Sequence, residues 1–132
     1  MKNIGFTLIE LLLVLVLIGV LSLIAYPSYN KRIIKTRRIY MAFMLLEIAG
    51  RVERYYISSE NTYEGVNKES LSIDDSRYSD FYSFSVNTSK DGYILQATPI
   101  GAQEKDLECG SLILDQSGNR SITGTGDPKR CW

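Results

Sequence analysis

The sequence predicts an α+β fold. A long N-terminal helix, half membrane-spanning and half amphipathic, packs on a small antiparallel sheet that ends in a cysteine-bearing C-terminal loop. Three observations predict it. An apolar stretch runs from Leu11 to Tyr26 and stops at Pro27. Beyond it, apolar residues recur at helical spacing to about residue 58. From Tyr82 onward the period drops to two, the spacing of a half-buried strand.

The first element carries the strongest signal. Met1-Lys-Asn-Ile-Gly5 and Phe6-Thr-Leu-Ile-Glu10 lead directly into the apolar stretch. An acidic side chain at bilayer depth costs at least about 2.5–3.5 kcal/mol, so Glu10 needs a partner and a task. A cut after Gly5 would give Phe6 a new α-amino group one helical turn from Glu10. The two charges would then pair, within one chain or between neighbours in an assembly.

Gly5-Phe6-Thr7-Leu8-Ile9-Glu10 followed by an apolar helix resembles the class III leader of type IV prepilins and the related pseudopilins. The resemblance implies that a membrane prepilin peptidase cuts between Gly5 and Phe6 on the cytoplasmic side and methylates the Phe6 amine. It also implies that Glu10 neutralises that amine in the filament core and so sets the register between subunits. The chain then divides into a leader (1–5), a transmembrane and assembly helix (6–28) and a pilin head (29–132). Within the head, the amphipathic helix runs to about 58, a connecting loop covers 59–80, the sheet covers 81–124 and the C-terminal loop covers 109–131.

Two plainer readings stand beside this one. A secretory signal has a basic n-region and a small-residue cleavage site, but the n-region here holds only Lys2, and Ala25-Tyr26-Pro27 is a poor site. A plain single-pass anchor fits the length, since roughly 20 apolar residues span a bilayer, but leaves Glu10 unexplained. Flanking charge also argues against export of the head. Lys31, Arg32, Lys35, Arg37 and Arg38 follow the span, against Lys2 before it. The two cysteines favour an oxidising compartment, and long domains translocate regardless of local charge. The head is therefore placed in an oxidising compartment, and the resemblance implies that this is the periplasm before assembly and a surface filament afterwards, with the anchor in the inner membrane.

The helix continues past Pro27 as a stalk. Ile34, Met41, Leu45, Ile48, Val52 and Tyr55 recur at steps of three, four or seven and form one apolar stripe. Two residues weaken the helix before the stalk. Pro27 lacks an N–H and clashes with the preceding turn, so it kinks the helix or opens its hydrogen-bond ladder. Gly19 lowers helix propensity within the span. The resemblance implies that the stretch between Gly19 and Pro27 unwinds when the subunit enters a filament. The stalk is basic, and from Ser59 onward acidic residues outnumber basic ones. The bland reading makes the basic stripe a solvated or lipid-facing surface; the alternative has one subunit's stalk lying against another's head.

From Ser59 to Ser79 the chain is polar, anchored only by Tyr63, Val66, Leu71, Ile73 and Tyr78. Tyr82, Phe84 and Val86 then alternate with serines as the first strand. Asp91-Gly92 is a hairpin turn, and Tyr93 to Thr98 is the return strand. A third strand is predicted over Ser111–Leu114, turned by Asp115-Gln-Ser-Gly118 towards a fourth over Arg120–Thr123.

Cys109 and Cys131 are the only cysteines, and their spacing matches no zinc or redox motif. A disulfide between them would tie the C-terminal segment to the third strand, a constraint of roughly 3 kcal/mol for a loop of this length. In a reducing compartment they would instead be two free thiols.

Several segments of the head also resemble PilE-type minor pilins. They are Glu53-Arg-Tyr-Tyr56, Asn61-Thr-Tyr63, Tyr93 to Pro99 with Gly101-Ala102, Cys109 to Gly118 and the terminal Cys131-Trp132. Type II secretion pseudopilins share the leader and helix but usually lack such a C-terminal cysteine loop, so they rank third. The hydroxyl- and glycine-rich loop from Thr123 to Lys129 departs from the pattern.

No constellation for catalysis, cofactor or metal emerges. Histidine is absent, and no nucleophile is paired with a base. Asp74-Asp75 and the acids of Glu104–Glu108 read as solvated loops without calcium-loop spacing. The expected role is therefore structural: a minor pilin that primes a type IV pilus and is incorporated into it. Its implied partners are other minor and major pilins, the peptidase and the inner-membrane assembly platform. The alternative is a receptor pilin binding DNA or a host surface through Arg120, Lys129, Arg130 and Trp132, basic residues beside an aromatic. The balanced net charge lends that alternative no support.

Overall fold

The computed structural model describes residues 5–132. Apart from Gly5, the leader expected over residues 1–5 lies outside them. The chain divides into two units, Met1–Ile33 and Ile34–Trp132. Helix α1, Leu8–Ser58, runs through both.

In the first unit, α1 opens on Thr7. The Glu10 N–H donates to the Thr7 carbonyl at 3.1 Å and to its hydroxyl at 3.4 Å. Thr7 is thus an N-cap, and Glu10 stands three residues on, at capping-box spacing. The apolar side chains from Leu8 to Ile24 are all exposed, with Leu23 at 77%. This helix is long and apolar enough to cross a membrane. It remains helical through Gly19 and Pro27. Pro27 has no N–H to donate to the Leu23 carbonyl, so the ladder lacks that rung while the helix continues past it.

In the second unit, Met41, Leu45, Ile48 and Val52 form the buried stripe, with Ile34 and Tyr55 half-buried at its ends. The helix stops where Glu60 and Asn61 adopt φ of 53° and 58° and the Asn61 N–H turns back to the Tyr56 carbonyl at 3.2 Å. The following loop is pinned by Tyr63, Val66, Leu71 and Tyr78, all buried, while Ile73 packs against the core. Tyr56 stacks on Tyr63 at 4.4 Å, and Tyr63 meets Tyr93 edge-on at 5.2 Å.

The sheet is a four-stranded antiparallel meander in chain order: β1 (Tyr82–Thr88), β2 (Tyr93–Pro99), β3 (Leu112–Asp115) and β4 (Arg120–Ile122). Its register places Phe84 opposite Ala97 and Leu95 opposite Leu114, so one face joins the helix stripe in a single core. Between β2 and β3 lies a 3₁₀ turn, Gly101–Lys105, and a short helix α2, Pro128–Cys131, closes the chain. Neither element was legible in the sequence.

Two expectations fail inside this unit. Arg38, assigned to a solvated basic stripe, is buried, and so is Asp106 from the acidic cluster expected to be a solvated loop. Each neutralises the other. Arg38 Nη1 donates to both Asp106 carboxylate oxygens, at 2.8 and 2.7 Å. An ionised group leaves water only with such a partner. Gln103, on the turn before Asp106, is fully buried and donates from Nε2 to the Ile34 carbonyl at 2.9 Å.

Candidate functional site

Chemistry-bearing residues gather in two places, one in each unit. In the first unit, Gly5 and Phe6 precede the helix in exposed, non-helical backbone, and Phe6 is 83% exposed. Glu10 lies in the first turn of α1, where an acid is favoured beside the exposed N–H groups. The capping-box position is a local reason for an acid there, and the sequence reading passed over it.

At Gly19 a Cβ would meet nothing within 4 Å, so no packing contact requires glycine. The Ser22 hydroxyl donates to the Ile18 carbonyl at 2.8 Å and so competes for a carbonyl of the ladder. With the rung missing at Pro27, the segment from Ile18 to Pro27 carries three local weaknesses, and its residues are all exposed.

The second place is the C-terminal loop. Cys109 and Cys131 are disulfide-bonded, with Cα atoms 5.6 Å apart and both residues buried. The hydroxyl- and glycine-rich loop has a packing role. Gly124 and Gly126 donate to the Cys109 and Glu108 carbonyls at 3.0 and 2.7 Å. A Cβ on Gly124 would fall inside the Glu108 carbonyl, and one on Gly110 (φ 61°) would sit 2.6 Å from Thr123 Oγ1.

Asp127 caps α2 by accepting from the Lys129 N–H at 3.0 Å. Trp132 Nε1 donates to the Ser121 carbonyl at 3.2 Å, and the Arg120 guanidinium lies 5.7 Å from the Trp132 ring centroid. Arg120, Pro128, Lys129 and Trp132 line a shallow cleft of about 230 Å³. Three of the four candidate ligand residues therefore meet, whereas Arg130 is exposed and lies outside the lining. The cleft offers two cations and one aromatic face, a chemistry suited to a phosphate or a base.

Elsewhere in the head, α1 presents a second row to solvent. Ile39, Phe43, Leu46 and Ile57 are exposed, with Phe43 at 67%. Their steps of four, three and eleven keep them near one face opposite the buried stripe. Hydrogen bonds from Ser76 hold the Asp74 carboxyl below the usual range, and Asn119 does the same for Asp115. Both acids are turn caps. Among the described residues, no group of His, Cys, Asp or Glu is arranged to hold a metal.

An exposed apolar helix joined to a meander head with a disulfide-held end defines the pilin class of filament subunit. Residues 1–26 match the prokaryotic N-terminal methylation motif. Residues 27–113 match a family model described as type IV minor pilin ComP, DNA uptake sequence receptor. A solved type IV pilin from Shewanella oneidensis is 30% identical, covers 75% of this chain and 97% of its own, and superposes with a TM-score of 0.56. No curated protein matches the chain. The chain belongs to the ComP family of type IV minor pilins. The family match ends at residue 113, before the cleft formed by Arg120, Lys129 and Trp132.

Proposed function

We propose that this minor pilin is cut between Gly5 and Phe6, methylated on Phe6, held in the inner membrane by residues 6–28 with its head in the periplasm, and drawn into a type IV pilus that it helps to prime. One observation carries this reading: from Leu8 to Ile24 every apolar side chain is exposed, and Glu10 is the single charge on that surface. Lipid can cover such a surface before assembly, and helices of neighbouring pilins can cover it afterwards. Glu10 then matches the Phe6 amine of a neighbour and sets the register. The weak ladder between Gly19 and Pro27 supports local unwinding on entry. The partners are other minor and major pilins, the prepilin peptidase and the assembly platform.

The test is a filament count on cells lacking this chain, in a background unable to retract pili. Sparse filaments restored by the wild-type chain but not by Glu10→Ala support an assembly subunit. Normal filament numbers, with the subunit absent from them, overturn it.

A second reading, DNA reception by the assembled subunit, is favoured by the cleft at Arg120, Lys129 and Trp132 and by the role that the family description carries. Phosphates contact Lys129 and Arg120, and Trp132 supplies a stacking face. Lys129→Glu with Arg120→Gln tests it. Lost DNA uptake with normal filaments supports the reading, and undiminished uptake sinks it.

A further inference from the structure

The five cations that follow the span divide into different roles. Arg38 is buried on Asp106, and the Arg37 guanidinium lies over the Phe81 ring at 5.2 Å from its centroid. Lys31 and Arg32, in the first unit, are exposed and have no acidic partner among the described residues. Just before them Tyr26 and Tyr29 are 71% and 64% exposed, with only Ser28 and Asn30 interspersed after Pro27.

We infer that Tyr26, Tyr29, Lys31 and Arg32 form a headgroup belt that binds anionic phospholipid, locating the end of the span before the subunit leaves the membrane. The dimensions fit. From Leu8 to Tyr29, α1 rises about 31 Å, against a hydrocarbon core of about 30 Å. Lys31 and Arg32 follow within about 5 Å, the depth of the headgroup layer. Tyrosine rings favour the boundary itself, where the apolar body and the hydroxyl meet different surroundings. Lysine and arginine stems lie along the apolar surface while their charged ends reach phosphate. Basic residues at this depth attract anionic headgroups. Charge complementarity and continuity with the apolar span both select lipid as the occupant. The excess of cations beyond the span, which opposes the usual charge asymmetry of membrane proteins, then has a local reason on whichever side the head lies.

The test uses the full chain reconstituted in phosphatidylcholine vesicles carrying a small fraction of spin-labelled phosphatidylglycerol or spin-labelled phosphatidylcholine. The motionally restricted fraction of each label gives their relative affinity for the protein. The wild-type chain is expected to prefer phosphatidylglycerol by at least about threefold at low salt, a preference that falls toward unity near 1 M salt. Lys31→Gln with Arg32→Gln removes most of the preference, while Lys90→Gln in the head leaves it intact. The salt titration reads the same interaction in the unmutated chain. A wild-type ratio near one, or a preference that survives the double substitution, overturns the belt. A ratio near one with cross-links from position 31 to a second chain also overturns it and assigns the cations to subunit packing.

Discussion

Arg38 and Asp106, 68 positions apart, form an ion pair in which Nη1 spans both carboxylate oxygens and from which water is almost excluded, with side-chain exposures of 10% and 4%. The pair ties α1 to the segment between β2 and β3 beside the Gln103–Ile34 contact, so both attachments grip the start of the head's helix. Arg38 Nε and Gln103 Oε1 have no hydrogen-bond partner among the described residues. The fold thus holds polar groups here that an apolar core would not need.

Breaking this pair from either side leaves the other charge buried and alone. Arg38→Met or Asp106→Leu is expected to cost about 3–5 kcal/mol, and the two together less than either alone. Thermal melts of the detergent-solubilised chain, taken as a double-mutant cycle, measure this. Additive losses would show that the pair is not coupled.

Glu10→Gln separates local capping from charge. Glutamine serves at the capping-box position as glutamate does, so helicity should not change. Filament incorporation should fall at least about tenfold if Glu10 pairs with the Phe6 amine as proposed, because that ion pair would lose one member. Incorporation counted by immunogold labelling at the wild-type level would reduce Glu10 to a cap.

Gly19→Ala meets no steric obstacle among the described residues of this chain and should stiffen the helix by about 1 kcal/mol. Amides from Val20 to Tyr26 should exchange more slowly in micelles, and filament incorporation should decline if unwinding accompanies entry. Slower exchange with undiminished incorporation would remove unwinding from the mechanism.

Reduction of the Cys109–Cys131 bond frees α2 and Trp132 from the sheet. The expected loss is about 3 kcal/mol, which lowers the melting midpoint of a head of this size by about 10–20 °C. The Trp132 emission maximum should shift red at temperatures below the global transition, since the ring loses its Ser121 and Arg120 contacts. Coincident spectral and global transitions would show that the loop is not an independent unit.

Alkali should unfold the head between pH 10 and 12. Burial pushes the Tyr78 and Tyr82 hydroxyls up to about 12, and for Tyr82 a hydrogen bond from Gln103 offsets part of that rise. Tyr93 is raised further, by burial and by the nearby Glu53 carboxylate. A raised pKa in the folded state protects the neutral form. The stabilisation is therefore complete below pH 10 and is lost as the pH rises towards 12. Tyrosinate absorbance that develops in step with loss of ellipticity is the expected result. Full ionisation with intact ellipticity would contradict it.

Legibility followed sequence distance. The apolar span, the helical stripe from Met41 to Val52 and the strand alternation at Tyr82 and Phe84 are patterns within a few residues, and each was readable; the Asp91-Gly92 turn proved to be the end of a four-residue loop between Thr88 and Tyr93. The Glu104–Glu108 cluster was misread because three acids in a short polar run look solvated. Nothing near Asp106 announces Arg38. The C-terminal cleft was half legible: basic residues beside Trp132 were evident, but only the fold brings Arg120 against the ring and leaves Arg130 out.

The sequence by itself determined the apolar span, the N-terminal methylation motif, the order of helix and strands and the availability of one cysteine pair, because periodicity and local backbone chemistry act over one or two turns. Tertiary structure alone decided that Arg38, Gln103 and Asp106 are interior, that the glycines of the last loop lie against Glu108, and that Arg120, Lys129 and Trp132 share a surface. Those outcomes depend on which distant groups can supply a hydrogen bond or leave room for backbone once the core has closed, and residue spacing does not encode that.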